Sequence, residues 1–181
     1  MTRTFNPSDS PLHSLKQAIE GLHVAMLTTV DADGRLSSKP MYLLQHDAQG
    51  QFWFFTQSPA DMLDPSEPYR RANLAFSAEG SSRYVSVSCV GEIGHDRQRI
   101  EELWTPMARP WFSEGADSPD LACLRFVPIR AELWEGPGIG VCKALAMAVS
   151  VVSGKPIALG EHHVLYSLAQ PNLSRDRATA A

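Results

Sequence analysis

VAMLTTVDADGRLSSKPMYLLQHDAQGQFWFFT, residues 24–56, holds three runs of β-forming residues separated by two turns. Val24 to Val30 is dominated by residues that suit a pleated, half-buried surface. Asp31-Ala32-Asp33-Gly34 is a hairpin signal, with glycine where the turn needs a positive φ. Arg35 to Leu44 reads as a second strand, Asp47 to Gly50 as a second turn, and Phe52-Trp53-Phe54-Phe55-Thr56 as a third strand. Three strands joined by short turns predict an antiparallel meander. Pro40 has no N–H to give to a ladder, so the second strand belongs at a sheet edge or at a bulge.

Upstream, residues 1–11 are a polar arm, rich in proline and serine, that ends in a helix cap. Leu12, Leu15, Ile19 and Leu22 recur at helical spacing and predict a short amphipathic helix over 12–22. Downstream, Pro59, Pro65 and Pro68 make 57–72 an irregular crossover, and Asn73 to Ala78 is a strand. From Arg83 to Gly94, Tyr84, Ser86 and Ser88 alternate with Val85, Val87 and Cys89, which is the period of a strand whose faces meet different environments. Asp96 caps a helix that runs to about Thr105, with Ile100, Leu103 and Trp104 on its apolar side. Residues 106–120 form a loop, and Leu121 to Val127 and Ile129 to Trp134 are strands broken by Pro128. Gly136-Pro137-Gly138 is a hinge into a helix at 139–153, and 171–181 is a frayed tail. The expectation is one domain over 12–170: mainly β, a six- to seven-stranded antiparallel barrel with peripheral helices.

The bulk numbers fit that reading. A chain of 181 residues, 44% hydrophobic and 20% charged, suits a single globular domain. The net charge of −4 lacks the basic excess expected of a nucleic-acid partner. Cys89, Cys123 and Cys142 are too far apart for a zinc site or a disulfide framework, so reduced thiols in the cytoplasm are expected. The N-terminus has no apolar signal core. The longest apolar stretch, Ala144 to Val152, falls short of the roughly 20 residues a membrane helix needs, so no membrane partner is expected.

Common catalytic signatures are missing. No G-x-G-x-x-G follows a strand, and there is no P-loop, nucleophile elbow or His-Glu-x-x-His. Glu161-His162-His163 lacks a third ligand at a suitable spacing and reads as a solvated loop. Two segments remain. Ser37-Ser38-Lys39-Pro40-Met41 places a cation and hydroxyls within a strand. Phe54-Phe55-Thr56-Gln57-Ser58 ends an aromatic strand in polar groups able to donate to anionic oxygens.

In this order the segments resemble the flavin-binding split-barrel proteins related to pyridoxamine 5′-phosphate oxidase, and within them the general stress protein 26 group. The resemblance is carried by AMLTTVDADGRLSSKPM, FWFFT, RYVSVS, the run from Asp96 through Glu101-Glu102-Leu103-Trp104, Trp111-Phe112, DSPDLACLRFVP, AELWEGP and GKPIALGEH, and it spans roughly residues 12–165. It implies flavin mononucleotide (FMN) bound at the interface of a homodimer of split barrels. On this resemblance, Lys39 contacts the phosphate or ribityl side, and Pro40 and Met41 lay backbone against the isoalloxazine. Phe55 and Thr56, with Phe54, flank the flavin, and Gln57 and Ser58 continue toward the phosphate. Tyr84 and Ser86 line the site from this subunit or its partner, and Trp111 and Trp134 stand near the cleft. Many relatives carry a phosphate-gripping lysine where this chain has Met62, and Asp61 beside it adds negative charge. That departure implies a weaker hold on the phosphate.

No catalytic residue is assigned. Three readings stay open: a flavin-binding protein associated with stress, an NAD(P)H-dependent FMN oxidoreductase, and a structural dimer without tight flavin binding. The C-terminal substrate pattern of pyridoxamine 5′-phosphate oxidase itself is not recognisable.

Overall fold

The alternation over residues 83–94 places the central strand. In a computed structural model, which describes residues 9–31, 33–57, 70–78, 80, 82–136, 161–166 and 168, Arg83–Gly94 is one continuous strand. Val85, Val87 and Cys89 are buried while Tyr84 and Ser88 are exposed.

The strands are β1 (Val24–Val30), β2 (Leu36–Tyr42), β3 (Gln45–His46), β4 (Phe52–Gln57), β5 (Arg70–Ala78), β6 (Arg83–Gly94), β7 (Leu121–Glu135) and β8 (Glu161–Leu165). They form an antiparallel sheet in the order β2-β1-β5-β6-β7-β4-β3, with β8 also paired to β7. Two helices, α1 (Pro11–Ile19) and α2 (Arg97–Leu103), pack outside it. The architecture is mainly β, a split barrel. Strand β7 is long enough to serve three partners: β6 on one edge, and β4 followed by β8 on the other.

The principal core collects the inward residues of these strands, including Leu27, Phe52, Phe54, Leu74, Phe76, Val87, Leu124 and Phe126, and α1 seals it with Leu15 and Ile19. A fully buried side chain of this kind contributes roughly 1.5–3 kcal/mol. A second, smaller cluster of Phe55, Ile100, Leu103, Ala108, Phe112, Leu121 and Cys123 packs α2 and the following segment onto the other side of β4 and β7.

Several local expectations are met. The Asp31–Gly34 turn closes through the Gly34 N–H to the Asp31 carbonyl at 3.0 Å, with Gly34 at φ +80°. Asp96 caps α2 by accepting from the Arg99 N–H at 3.2 Å. Ser10 caps α1 by accepting from the His13 N–H at 3.3 Å.

Others are corrected. The first helix ends at Ile19 rather than residue 22, because Gly21 turns the chain at φ +79°. The second helix ends at Leu103. The three-strand meander is not formed: β2 pairs with β1, but the chain breaks at Leu43-Leu44, and β4 pairs with β3 and β7 rather than with β2. Pro128 does not break its strand. It sits buried opposite Cys89, and the register shifts between Ser88 and Cys89, leaving Ile129 as the extra residue of a bulge. Glu161 to Leu165 is a strand, not a solvated loop. The helix expected at 139–153, the tail at 171–181 and residues 1–8 of the arm lie outside the described residues.

Candidate functional site between two diverging edge strands

The cleft originates where neighbouring residues face opposite walls. The Leu43 N–H donates to the His23 carbonyl at 2.8 Å, next to β1, whereas the Leu44 N–H donates to the Trp53 carbonyl at 2.9 Å, next to β4. Backbone groups alternate in direction along an antiparallel strand. Since Leu43 faces β1, so do Met41 and Lys39, while the backbone groups of Tyr42, Pro40 and Ser38 face away from it. By the same alternation, Phe55 and Gln57 of β4 face back toward β2. No ladder joins β2 to β4 among the described residues. The barrel is split there, and Pro40 sits where its missing N–H costs no ladder bond.

A cleft of about 460 Å³ fills this split. One wall is Lys39, Pro40, Met41 and Tyr42 of β2, and the opposite wall is Phe55, Thr56 and Gln57 of β4. Thr105, Met107, Ala108, Trp111 and Phe112 close a third side, with Val24 and Leu44 also contributing. Lys39 is the single charged side chain in this described lining. Met107 and Trp111 stand 63% and 62% exposed, so the mouth of the cleft is apolar.

The third wall is fixed by packing and by one polar contact. Phe55 meets Phe112 edge-on at 5.9 Å between ring centroids and Trp104 at 5.9 Å. The Gln57 Nε2 donates to the Trp111 carbonyl at 2.5 Å. Thr56 is buried, and its hydroxyl donates to the Gln57 carbonyl at 3.4 Å.

Of the residues singled out in the sequence, the structure brings Lys39, Pro40, Met41, Phe55, Thr56, Gln57 and Trp111 together around the cleft. Phe54 points the other way, into the principal core, where it meets Phe126 at 5.8 Å. Tyr84, Ser86 and Trp134 lie on the outer face of the sheet. Successive cross-strand partners run Pro40, Met26, Ala75, Ser86, and three such steps place Ser86 about 14 Å from Pro40. Ser86 accepts from the Asn73 amide at 2.8 Å. Tyr84 stands opposite Trp134, whose indole stacks on His162 at 4.9 Å with an interplanar angle of 8°. Ser58 and Met62 lie outside the described residues.

Sequence reasoning missed Val24, Tyr42, Leu44, Thr105, Met107, Ala108 and Phe112 as lining residues. Tyr42 and Leu44 were open to inference, because they continue the Lys39–Met41 segment. Thr105 and Met107 carried no such signal, since tertiary packing alone brings them to the cleft.

Two strands that part around a cleft, with mostly apolar walls and one cation in its described lining, define a split-barrel protein. The family model for pyridoxamine 5′-phosphate oxidase like proteins matches residues 10–157, and the chain belongs to that family. Several of its structural relatives are described as general stress protein 26 or as related to it. A protein from Jannaschia sp. CCS1, provisionally assigned as a general stress protein 26, is 26% identical, with 86% of this chain and 97% of that one covered and a TM-score of 0.66. A Clostridium acetobutylicum protein related to general stress protein 26 is 25% identical, over 68% of this chain and 87% of that one, with a TM-score of 0.61. The general stress FMN/FAD binding protein of Xanthomonas citri is 28% identical, over 68% and 87%, with a TM-score of 0.58. A search of curated protein sequences gave no significant match. No helix among the described residues is long and apolar enough to cross a membrane.

Proposed function

We propose that this protein binds FMN in the cleft between β2 and β4, as a homodimer, and acts as a flavin-binding protein of the general stress type. The observation that carries the reading is the lining itself. Met41, Phe55 and Trp111 offer apolar surface to a flat ring, and the backbone groups of Tyr42 and Phe55 turn toward the gap. Lys39 supplies the one positive charge of the described lining. A volume of about 460 Å³ lies within the roughly 300–1,000 Å³ of small-molecule sites. Charge-assisted bonds are the strong ones, so the phosphate end belongs with Lys39. The resemblance sets Met62 where many relatives carry a phosphate-gripping lysine, and so implies a weaker hold on the phosphate. The likeness to an FMN/FAD binding protein at 28% identity supports the same ligand class.

The homodimer rests on the outer face of the sheet. On the β1–β2 hairpin, Val24 faces Tyr42, Met26 faces Pro40 and Val30 faces Leu36 as cross-strand pairs, and all of these side chains are exposed. These pairs, interrupted by the hydrogen-bonded Thr28–Ser38 pair, leave exposed apolar side chains of the kind that supports an interaction surface. Tyr84, Ser86 and Trp134 lie away from the cleft of their own subunit, so on this reading they serve a flavin only as the partner's residues. The cytoplasm suits two buried free thiols, Cys89 and Cys123.

The flavin, when bound, supplies two-electron redox chemistry. The chain binds and orients it. The described lining holds no carboxylate, imidazole or thiol, so binding comes before dedicated proton transfer in this reading. The exposed mouth at Met107 and Trp111 favours a second reading, in which a reduced nicotinamide reaches the flavin and the protein is an FMN oxidoreductase. Titration of purified protein with FMN, followed by the visible spectrum and by flavin fluorescence, tests the first reading. Absence of binding at micromolar flavin refutes both and leaves a structural dimer. Anaerobic bleaching of bound flavin by NADH or NADPH separates the enzyme from the carrier.

A further inference from the structure

We propose that Gln57 is a positioning residue: its side-chain amide latches the Pro106–Phe112 segment onto β4 and so holds the third wall of the cleft in place. The resemblance would send Gln57 toward the phosphate. The structure gives its amide another partner, the Trp111 carbonyl, 54 residues away in sequence and 2.5 Å away in space.

Among the described residues, the segment's other ties are its own turn and the packing of Phe112 on Phe55 and Trp104. Its turn is internal, with the Trp111 and Phe112 N–H groups both donating to the Ala108 carbonyl at 3.1 Å and Ala108 donating to Thr105 at 3.0 Å. Met107 and Trp111 are exposed and add little packing, so Ala108 and Phe112 alone bury side chains in the smaller core. Two residues of β4 on the same face therefore hold two neighbouring residues of the segment. Phe55 grips Phe112 through ring packing, and Gln57 grips Trp111 through a hydrogen bond. A long amide side chain that is otherwise exposed loses rotamer freedom to make such a bond. The return is a preformed wall: a cleft whose side need not be ordered when ligand arrives binds more tightly.

The consequence for ligand recognition rests on the flavin reading above, but the latch itself does not. Two variants test it: Gln57→Met, which keeps the length without the donor, and Gln57→Glu, which sets a carboxylate against the Trp111 carbonyl. Hydrogen–deuterium exchange of the ligand-free proteins is read at the amides of Ala108, Arg109, Trp111 and Phe112. Losing one hydrogen bond speeds this exchange about threefold to tenfold, with β6 unchanged. Unchanged exchange in the segment overturns the latch. Titrations of Gln57→Met, which adds no charge, with FMN and riboflavin then run beside the wild type. The latch holds the wall and touches no phosphate, so both ligands weaken by the same factor. A loss confined to FMN means that Gln57 contacts phosphate directly, and overturns the proposal. A wild-type protein that binds no flavin refutes the flavin reading, while the exchange result still decides the latch.

Discussion

The ring of Phe126 occupies the space where a side chain on Gly91 would begin. The two residues are cross-strand partners on β6 and β7, and a β-carbon at Gly91 would stand 2.2 Å from a ring carbon. The Phe126 ring cannot swing clear, because it is fully buried and packs edge-on against Phe54. Glycine is required here for space, since its backbone is ordinary strand. Gly91→Ala therefore overpacks the centre of the barrel and costs about 1–3 kcal/mol. Urea unfolding measures this as a lower midpoint at unchanged slope. A midpoint equal to that of the wild type would show that the ring moves freely.

Lys39 carries the only charge in the described lining of the cleft. Lys39→Ala should weaken FMN about tenfold or more, which corresponds to one charge-assisted hydrogen bond, and leave riboflavin much less affected. FMN affinity of the wild type should also fall as salt rises. Fluorescence titration with both flavins gives the comparison, and an equal loss for the two removes Lys39 from the phosphate.

Met26 sits in the middle of the exposed apolar face, between Pro40 of β2 and Ala75 of β5. The wild-type chain should sediment as a dimer. Met26→Glu buries an unpaired carboxylate if that face is covered, so it should give a folded monomer with weakened flavin binding. Analytical ultracentrifugation decides this, and a variant that stays dimeric moves the interface elsewhere.

His46 sets a pH dependence. Burial holds its imidazole below the ordinary value of 6.5; Asp47 and the Gly50 backbone oppose that shift and Lys16 reinforces it. The unfolded chain accordingly takes up a proton near pH 6.5 that the folded protein resists. Stability is full above that pH and declines as acidification proceeds toward the lower folded value, by at most about 1.4 kcal/mol per pH unit for one proton. His46→Gln should flatten this slope between pH 7 and 5 in urea unfolding. An unchanged slope assigns it to another group.

The parts of the fold that could be read in advance were those set by local chemistry. Alternation through Val85, Val87 and Cys89 gave β6 its length, and Asp96 and Gly34 marked their cap and turn. What escaped was tertiary. Pro128 looks like a strand breaker, but a bulge at Ile129 lets β7 continue past it. The residues at 161–165 form a strand because β7 extends far enough to offer them an edge. Within the site, Phe54 and Phe55 look equivalent as letters. Strict alternation along β4 sends one into the core and the other to the cleft, and the run of aromatics concealed it. The Gln57–Trp111 contact links positions 54 apart, so no local pattern could announce it.

The open flank of β2 has a further consequence for the life of the protein in a crowded solution. A cleft made by leaving two strands unpaired leaves a rail of backbone donors and acceptors on which a stranger's strand could be templated. Pro40 interrupts that rail at its midpoint, and Lys39 beside it charges the approach. Pro40, which borders the cleft, thus also guards against edge-to-edge polymerisation. Pro40→Val should keep the core intact yet raise thioflavin fluorescence on incubation, and a signal equal to that of the wild type would remove the guard.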